Sequence, residues 1–85
     1  MELDIITPDK KLFSGKIFTV KLPGTKGSFA ILQNHAPIIS TLKKGTIKVI
    51  DNSNKTYYFE IEGGVAECRD NKIAVLIQSG KMQNA

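Results

Sequence analysis

His35 and Cys68 are the only imidazole and the only thiol in the chain, and together they would be the one pair able to make a thiol–imidazole nucleophile. Nothing local to either residue supports such a pair. Cys68 sits between Glu67 and Arg69 in a run that reads as a strand, where a cysteine behaves as a small apolar residue. Two sets of carboxylates could pair for acid–base work, Asp4 with Asp9 and Glu60 with Glu62. A spacing of two puts Glu60 and Glu62 on one side of a strand, where a solvated face is the simpler reading. One histidine, one cysteine and dispersed carboxylates offer no ligand cluster at a metal's spacing. Gly24-Thr25-Lys26-Gly27 has glycines and a lysine, but it is too short to cradle a phosphate and no helix pattern follows it. Gly63-Gly64 reads as a turn. The expectation is no catalytic group, no metal and no cofactor, in a chain that works by binding other proteins.

The elements that would position these residues are almost all short strands. Leu3, Ile5 and Thr7 alternate with Glu2, Asp4 and Ile6, and Pro8 ends the run. Lys16 to Leu22 follows, then a Pro23–Gly27 turn in which proline presets φ and glycine takes the positive-φ positions. Ser28 to Leu32 leads into a corner, Gln33-Asn34-His35-Ala36-Pro37. Ile38 to Lys43 leans to strand through its β-branched residues, Gly45 punctuates, and Thr46 to Asp51 closes on Asn52-Ser53-Asn54. Lys55 to Glu62 alternates most clearly, with Tyr57, Phe59 and Ile61 on one face and Thr56, Tyr58, Glu60 and Glu62 on the other. Val65 to Arg69 and Lys72 to Ile77 make a hairpin around Asp70-Asn71, and residues 79–85 read as a frayed tail after a domain of residues 1–78. Turn signals recur about every 8–12 residues, the spacing of a sandwich or barrel. The predicted fold is all-β: a flattened antiparallel β-sandwich or barrel of about eight to ten short strands.

Several of these strands are apolar on both sides. Phe29 and Ile31 alternate with Ala30 and Leu32, and Ile73, Val75 and Ile77 alternate with Ala74 and Leu76. A wetted sheet face should be polar. Part of this apolar character is therefore expected on the surface, as a patch for a partner, through which the isolated chain could also self-associate.

Composition narrows the classes further. At 85 residues the chain is one domain, 41% hydrophobic, with no Trp. That size buries roughly 60% of the unfolded surface, enough for a marginal independent fold. A single cysteine forms no internal disulfide, so a stapled secreted scaffold is excluded and a reducing compartment is the simplest inference. Met1 to Asp4 shows neither the basic nor the apolar stretch of a signal peptide, and no apolar run approaches the roughly 20 residues of a spanning helix. Without an export signal, Asn54-Lys55-Thr56 is read as a chance match to the glycosylation sequon. The net charge is +4, with all but one of the twelve basic residues lysine. A small basic β-barrel binding nucleic acid is the alternative this raises. The lysines are scattered and arginine is scarce, however, which favours a solvated, lysine-gated surface and no nucleic acid.

Taken in order, Leu3–Pro8 with Leu12-Phe13-Ser14-Gly15, Leu22–Leu32, Asn34-His35-Ala36-Pro37-Ile38-Ile39-Ser40, and Ile61–Glu67 with Val75-Leu76 resemble the epsilon subunit of F-type ATP synthases. The likeness runs from Leu3 to about Ile77. It implies a β-sandwich on the central stalk that binds the gamma subunit, rests on the ring of c subunits and turns with both. Such a subunit is non-catalytic and couples proton flow to ATP synthesis made elsewhere. It would lie, through the complex, on the cytoplasmic face of a bacterial inner membrane. Thr7, His35 and Ser40 match family positions that face gamma. Gly24, Thr25, Lys26, Gly27 and Ser28 match a loop near the c ring. Ser28 stands where many members carry an acid, Gln33 where proline is common, and Ala30 where glycine is. The residues alone leave a second reading of His35, as a cap of its own corner, since Asn34 tolerates positive φ and Pro37 extends Ala36. Many members continue into two C-terminal helices that can bind nucleotide or inhibit hydrolysis; for a chain ending at Ala85 the expectation is no ATP binding.

Overall fold

The computed structural model describes residues 1–83. Seven strands follow one another: β1 (Glu2–Ile6), β2 (Lys11–Gly24), β3 (Gly27–Ile31), β4 (Ile38–Asp51), β5 (Thr56–Arg69), β6 (Lys72–Leu76) and β7 (Gly80–Gln83). The all-β architecture follows the sequence pattern. Among the described residues the strands number seven, rather than eight to ten, because β2, β4 and β5 each run unbroken for 14 residues. Gly45 and Gly63-Gly64, read as breaks, fall inside one continuous β4–β5 ladder that holds a single register from Ile38↔Cys68 to Ile50↔Thr56.

The hydrogen-bonded order is β1-β6-β5-β4-β2-β3, and β1 also pairs with β2. That second pairing closes β1, β6, β5, β4 and β2 into a ring, which removes their free edges. β3 and β7 add outside it, on β2 and β5. The pairing is not wholly antiparallel: β1 runs parallel to β6, as strands far apart in the chain are free to do. Where a frayed tail was expected, Gly80–Gln83 is paired with Tyr58–Ile61; the last two residues of that tail lie outside the described residues.

The core is what alternation implies. Leu3, Ile5, Ile17, Val20, Leu22, Ile31, Ile47, Val49, Phe59, Ile61, Ile73 and Val75 are buried. Phe13 closes one end, edge-on to Tyr57 at 5.2 Å and to Phe59 at 5.8 Å between ring centroids. Such contacts contribute about 0.5–1.5 kcal/mol beyond area burial.

Inward parity reverses within the long strands. In β5 the buried residues are Phe59 and Ile61 before the glycines, then Ala66 and Cys68 after them. Gly63 and Gly64 carry φ of 138° and 158°, a region open to glycine and strained for other residues. The turn they impose moves the inward face from odd to even positions. β4 reverses in step, from Leu42 to Ile47 and Val49.

Candidate protein-interaction face

That reversal exposes the next residue. Val65, which unbroken alternation would bury beside Phe59 and Ile61, faces outward. Its ladder partners are Leu76 on β6 and Thr41 on β4, and Leu76 is partnered in turn by Ile6 on β1. Ile6, Leu76, Val65 and Thr41 thus form one row across four strands. The next row is Asp4, Ala74, Glu67 and Ile39. Ile39 is 74% exposed and Leu76 53%. The two rows put an apolar band of Ile6, Leu76, Val65 and Ile39 on the outer face of the sheet, with the Asp4 carboxylate at one edge and that of Glu67 set between Ala74 and Ile39.

A groove lies at each end of the band. At one, the backbone of Gly63 and Gly64 forms a floor walled by Ile6, Pro8, Val65 and Leu76. At the other, the β2–β3 hairpin tip stands beside Ile38, Ile39, Ser40 and Thr41. The tip is tied there: the Thr25 N–H donates to the Thr41 carbonyl at 3.0 Å, and the two hydroxyls lie 2.8 Å apart.

Each residue singled out by sequence has a place around this face. Gly24 and Gly27 are ladder partners, so Thr25 and Lys26 alone form the turn. Gly24 is buried against Phe29, and a Cβ there would lie 2.6 Å from the Gly27 carbonyl oxygen. Thr25, Lys26, Gly27 and Ser28 are exposed. Ser40 is half-buried beside this tip, its hydroxyl donating to the Thr41 carbonyl at 3.1 Å. Thr7 is 8% exposed. Its N–H and its hydroxyl both donate to the Lys10 carbonyl, at 2.8 and 3.1 Å, and its Oγ1 accepts from the Lys10 N–H at 3.1 Å. The Thr7 hydroxyl is thus spent closing the turn around Pro8-Asp9.

His35 caps its corner as the residues alone allowed. Its N–H donates to the Leu32 carbonyl at 3.1 Å, and ring Nδ1 meets the Ala36 carbonyl at 2.8 Å. A carbonyl only accepts, so Nδ1 carries a hydrogen in this contact. The ring is half-buried, so the cap also presents a surface. Thr7 follows the Ile6–Leu76 end of the sheet, whereas the His35 corner bonds Asn71 at the opposite end of hairpin β5–β6. Ser40 joins the 24–28 tip; Thr7 and His35 join neither it nor each other.

The reactive groups disperse. Cys68 is buried and pairs with Ile38 in the ladder, and burial pushes its thiol up from the ordinary value. Glu60 accepts from the Thr46 hydroxyl at 2.8 Å and from the Gln83 amide at 2.7 Å. Of the aromatics, Phe13, Tyr57 and Phe59 pack together and Phe18 alone is widely exposed; successive nucleic-acid bases would need several exposed rings side by side. Sequence reading missed Thr41, and it missed Val65 as a surface residue. The signal available for Val65 was the double glycine before it.

Comparison with known proteins bears on the same fold. A family model described as the ATP synthase delta/epsilon chain, beta-sandwich domain, matches residues 1–82. An ATP synthase epsilon chain from Pelotomaculum thermopropionicum is 39% identical over 79 residues, which is 93% of this chain and 58% of the relative. One from Leptospira interrogans is 35% identical over 83 residues, 98% of this chain and 65% of the relative. One from Chlorobium limicola is 39% identical over 77 residues, 91% of this chain and 88% of the relative. Against the first two, then, this chain spans less than two thirds of the relative's length. Among solved structures, a chain of the Euglena gracilis mitochondrial ATP synthase (OSCP/F1/c-ring) superposes with a TM-score of 0.88 at 17% identity, covering 94% of this chain and 51% of that one. A chain from the central stalk and c-ring of the Tetrahymena thermophila enzyme gives 0.78 at 18% identity, covering 93% and 63%. At those identities the structures share the fold.

Proposed function

Because this chain belongs to the family of the ATP synthase delta/epsilon chain β-sandwich domain, we propose that it is a non-catalytic subunit of the central stalk of a proton-translocating F-type ATP synthase. It binds the gamma subunit and the c ring, and it turns with them so that proton flow is coupled to ATP synthesis. The site is peripheral to the membrane, on the cytoplasmic face of a bacterial inner membrane, and held there by the complex.

The observation that carries this reading is the apolar band of Ile39, Val65, Leu76 and Ile6. Leaving large apolar side chains in water forgoes roughly 25 cal/mol for every Å² a partner would cover. A stable partner face of this kind has an apolar centre and a polar rim; Thr41 and Asp4 provide the rim here, and Glu67 sets one carboxylate within the band. The hairpin tip Gly24–Ser28 stands at one end of the band and offers Lys26 and exposed backbone to a c ring. Thr7, His35 and Ser40 lie on the gamma side of the same proposal. Thr7 acts there by shaping its turn, since its hydroxyl is engaged within it.

The test is direct binding to the matching gamma subunit, with and without a c-ring fraction. A stable one-to-one complex, strengthened by the c ring, is expected. No complex with folded gamma would reduce the family likeness to one of fold alone.

A further inference from the structure

The outer face of the other half of the sheet carries a second departure from ordinary sheet chemistry. Lys21 on β2 and Lys48 on β4 are direct ladder partners, both exposed. Like charges directly opposite one another destabilise an antiparallel pair. The row continues outward to Ala30 on one side and to Tyr58 and Gln83 on the other, all uncharged. Diagonal to Lys21 are Ile50 and Thr46, two residues either side of Lys48. Glu60 is diagonal to Lys48, its Oε1 accepts from Thr46 and Gln83, and Lys81 is its ladder partner. Among the described residues, neither lysine makes a salt bridge; the one ion pair is Arg69 with Asp70 at 3.7 Å.

A second like-charged pair shows what ordinary compensation looks like. Arg69 and Lys72 are also direct partners, flanking the β5–β6 turn. Arg69 has Asp70, and Lys72 is the ladder partner of Glu2. Lys21 has no acidic neighbour in the ladder or on its diagonals, and Lys48 has only the diagonal Glu60, which Lys81 faces directly. A broken pairing rule with so little internal compensation is expected at functional positions.

We propose that the Lys21–Lys48 pair is a docking point for an acidic polypeptide surface, one whose carboxylates sit between the two ammonium groups. The chemistry selects the occupant. Lysine offers point charges rather than the flat fork of arginine that reads phosphate and base edges, and of the six aromatics only Phe18 is widely exposed, so a nucleic-acid strand has no stacking platform there. A carboxylate-rich partner needs neither. This face belongs to β2, β4 and β5 beyond the glycine bends, so it does not depend on the docking proposed for the apolar band.

The experiment uses the full chain and a fluorescent oligo-glutamate peptide at low ionic strength. Wild type is compared with the double variant Lys21→Gln/Lys48→Gln and with a charge-matched control, Lys10→Gln/Lys11→Gln. The K21Q/K48Q variant is expected to bind about 10-fold or more weakly, as the loss of paired charges implies. It should also melt about 2–6 °C higher, from relief of the repulsion. The control should keep most of its affinity and its melting point. Three outcomes overturn the proposal: equal loss in the control, which would reduce the effect to net charge; an unchanged or lower melting point in K21Q/K48Q; or equal binding by an oligonucleotide of matched charge.

Discussion

Asn34 and Asn71, 37 residues apart in the chain, exchange hydrogen bonds: the Asn34 N–H donates to Asn71 Oδ1 at 2.7 Å, and Asn71 Nδ2 donates to Asn34 Oδ1 at 3.1 Å. Both backbones are left-handed, with φ of 65° and 61°, which asparagine tolerates better than most residues. The Asn71 carbonyl also accepts from Glu2 N–H at 2.9 Å. One residue therefore fastens the His35 corner, the β5–β6 turn and the start of β1. Asn71→Ala should lose about 1–2 kcal/mol in urea unfolding, from the lost amide bonds and the left-handed backbone. Asn71→Gly keeps the backbone and should lose less, yet both should raise hydrogen exchange at Asn34 and His35. Unchanged exchange at the corner would show that it holds itself.

Gly64 carries a steeper expectation. A Cβ there would meet the Leu76 carbonyl oxygen and lie 2.7 Å from Ile77 Cγ2. Gly64→Ala must either move β6 or undo the bend. It should cost about 2 kcal/mol or more, a fall of roughly 8–16 °C in melting temperature for a domain of this size. Thermal denaturation checks this, and a shift of a degree or two would mean that the two strands part easily.

Ile39 tests the apolar band without touching the core. It is the most exposed of the large hydrophobic residues in the band, so Ile39→Asp should change stability by no more than about 0.5 kcal/mol. In the proposed complex it should weaken gamma binding by about 10-fold or more, the effect of a large side chain buried at an interface. A stable variant that binds gamma normally would move the contact elsewhere.

Asp51 gives the acid limb of stability. Its carboxylate accepts from the Lys55 N–H at 2.9 Å, the Ser53 N–H at 2.8 Å and the Tyr57 hydroxyl at 3.1 Å. The Lys55 backbone bond is the largest cause holding the group below its ordinary value; desolvation opposes it, and the Ser53 and Tyr57 bonds add to it. A depressed native value means stability that is present above the unfolded value and lost as pH falls through the native one. Acid titration of the folding free energy should therefore lose a contribution from Asp51 across and below the ordinary aspartate range. Asp51→Asn should flatten that part of the curve, and an unaltered acid limb would refute the assignment.

Much of this molecule is written in period-two alternation and turn residues. Tyr57, Phe59 and Ile61 turn inward as their spacing requires. Asp70-Asn71, both at positive φ, make the two-residue hairpin turn that such residues favour. The Pro8 stop and the two-residue turn between Gly24 and Gly27 are equally local, and so was the resemblance carried by the ordered segments from Leu3 to Ile77. The candidate residues were legible as types and positions, and their grouping was not. Alternation states which residues share a face until a bend reverses it; it does not state where the bend lies or which strand comes alongside. The glycines at 45, 63 and 64 looked like ends because glycine usually ends a strand. Only a ladder formed on both sides of them turns them into bends, burying Ala66 and exposing Val65. The Asn34–Asn71 clasp, the Thr25–Thr41 tie, the pairing of β7 with β5 and the facing of Lys21 by Lys48 likewise join segments far apart in the chain. Their existence depends on register and closure, which arise from the simultaneous burial of the whole core rather than from any local run of residues.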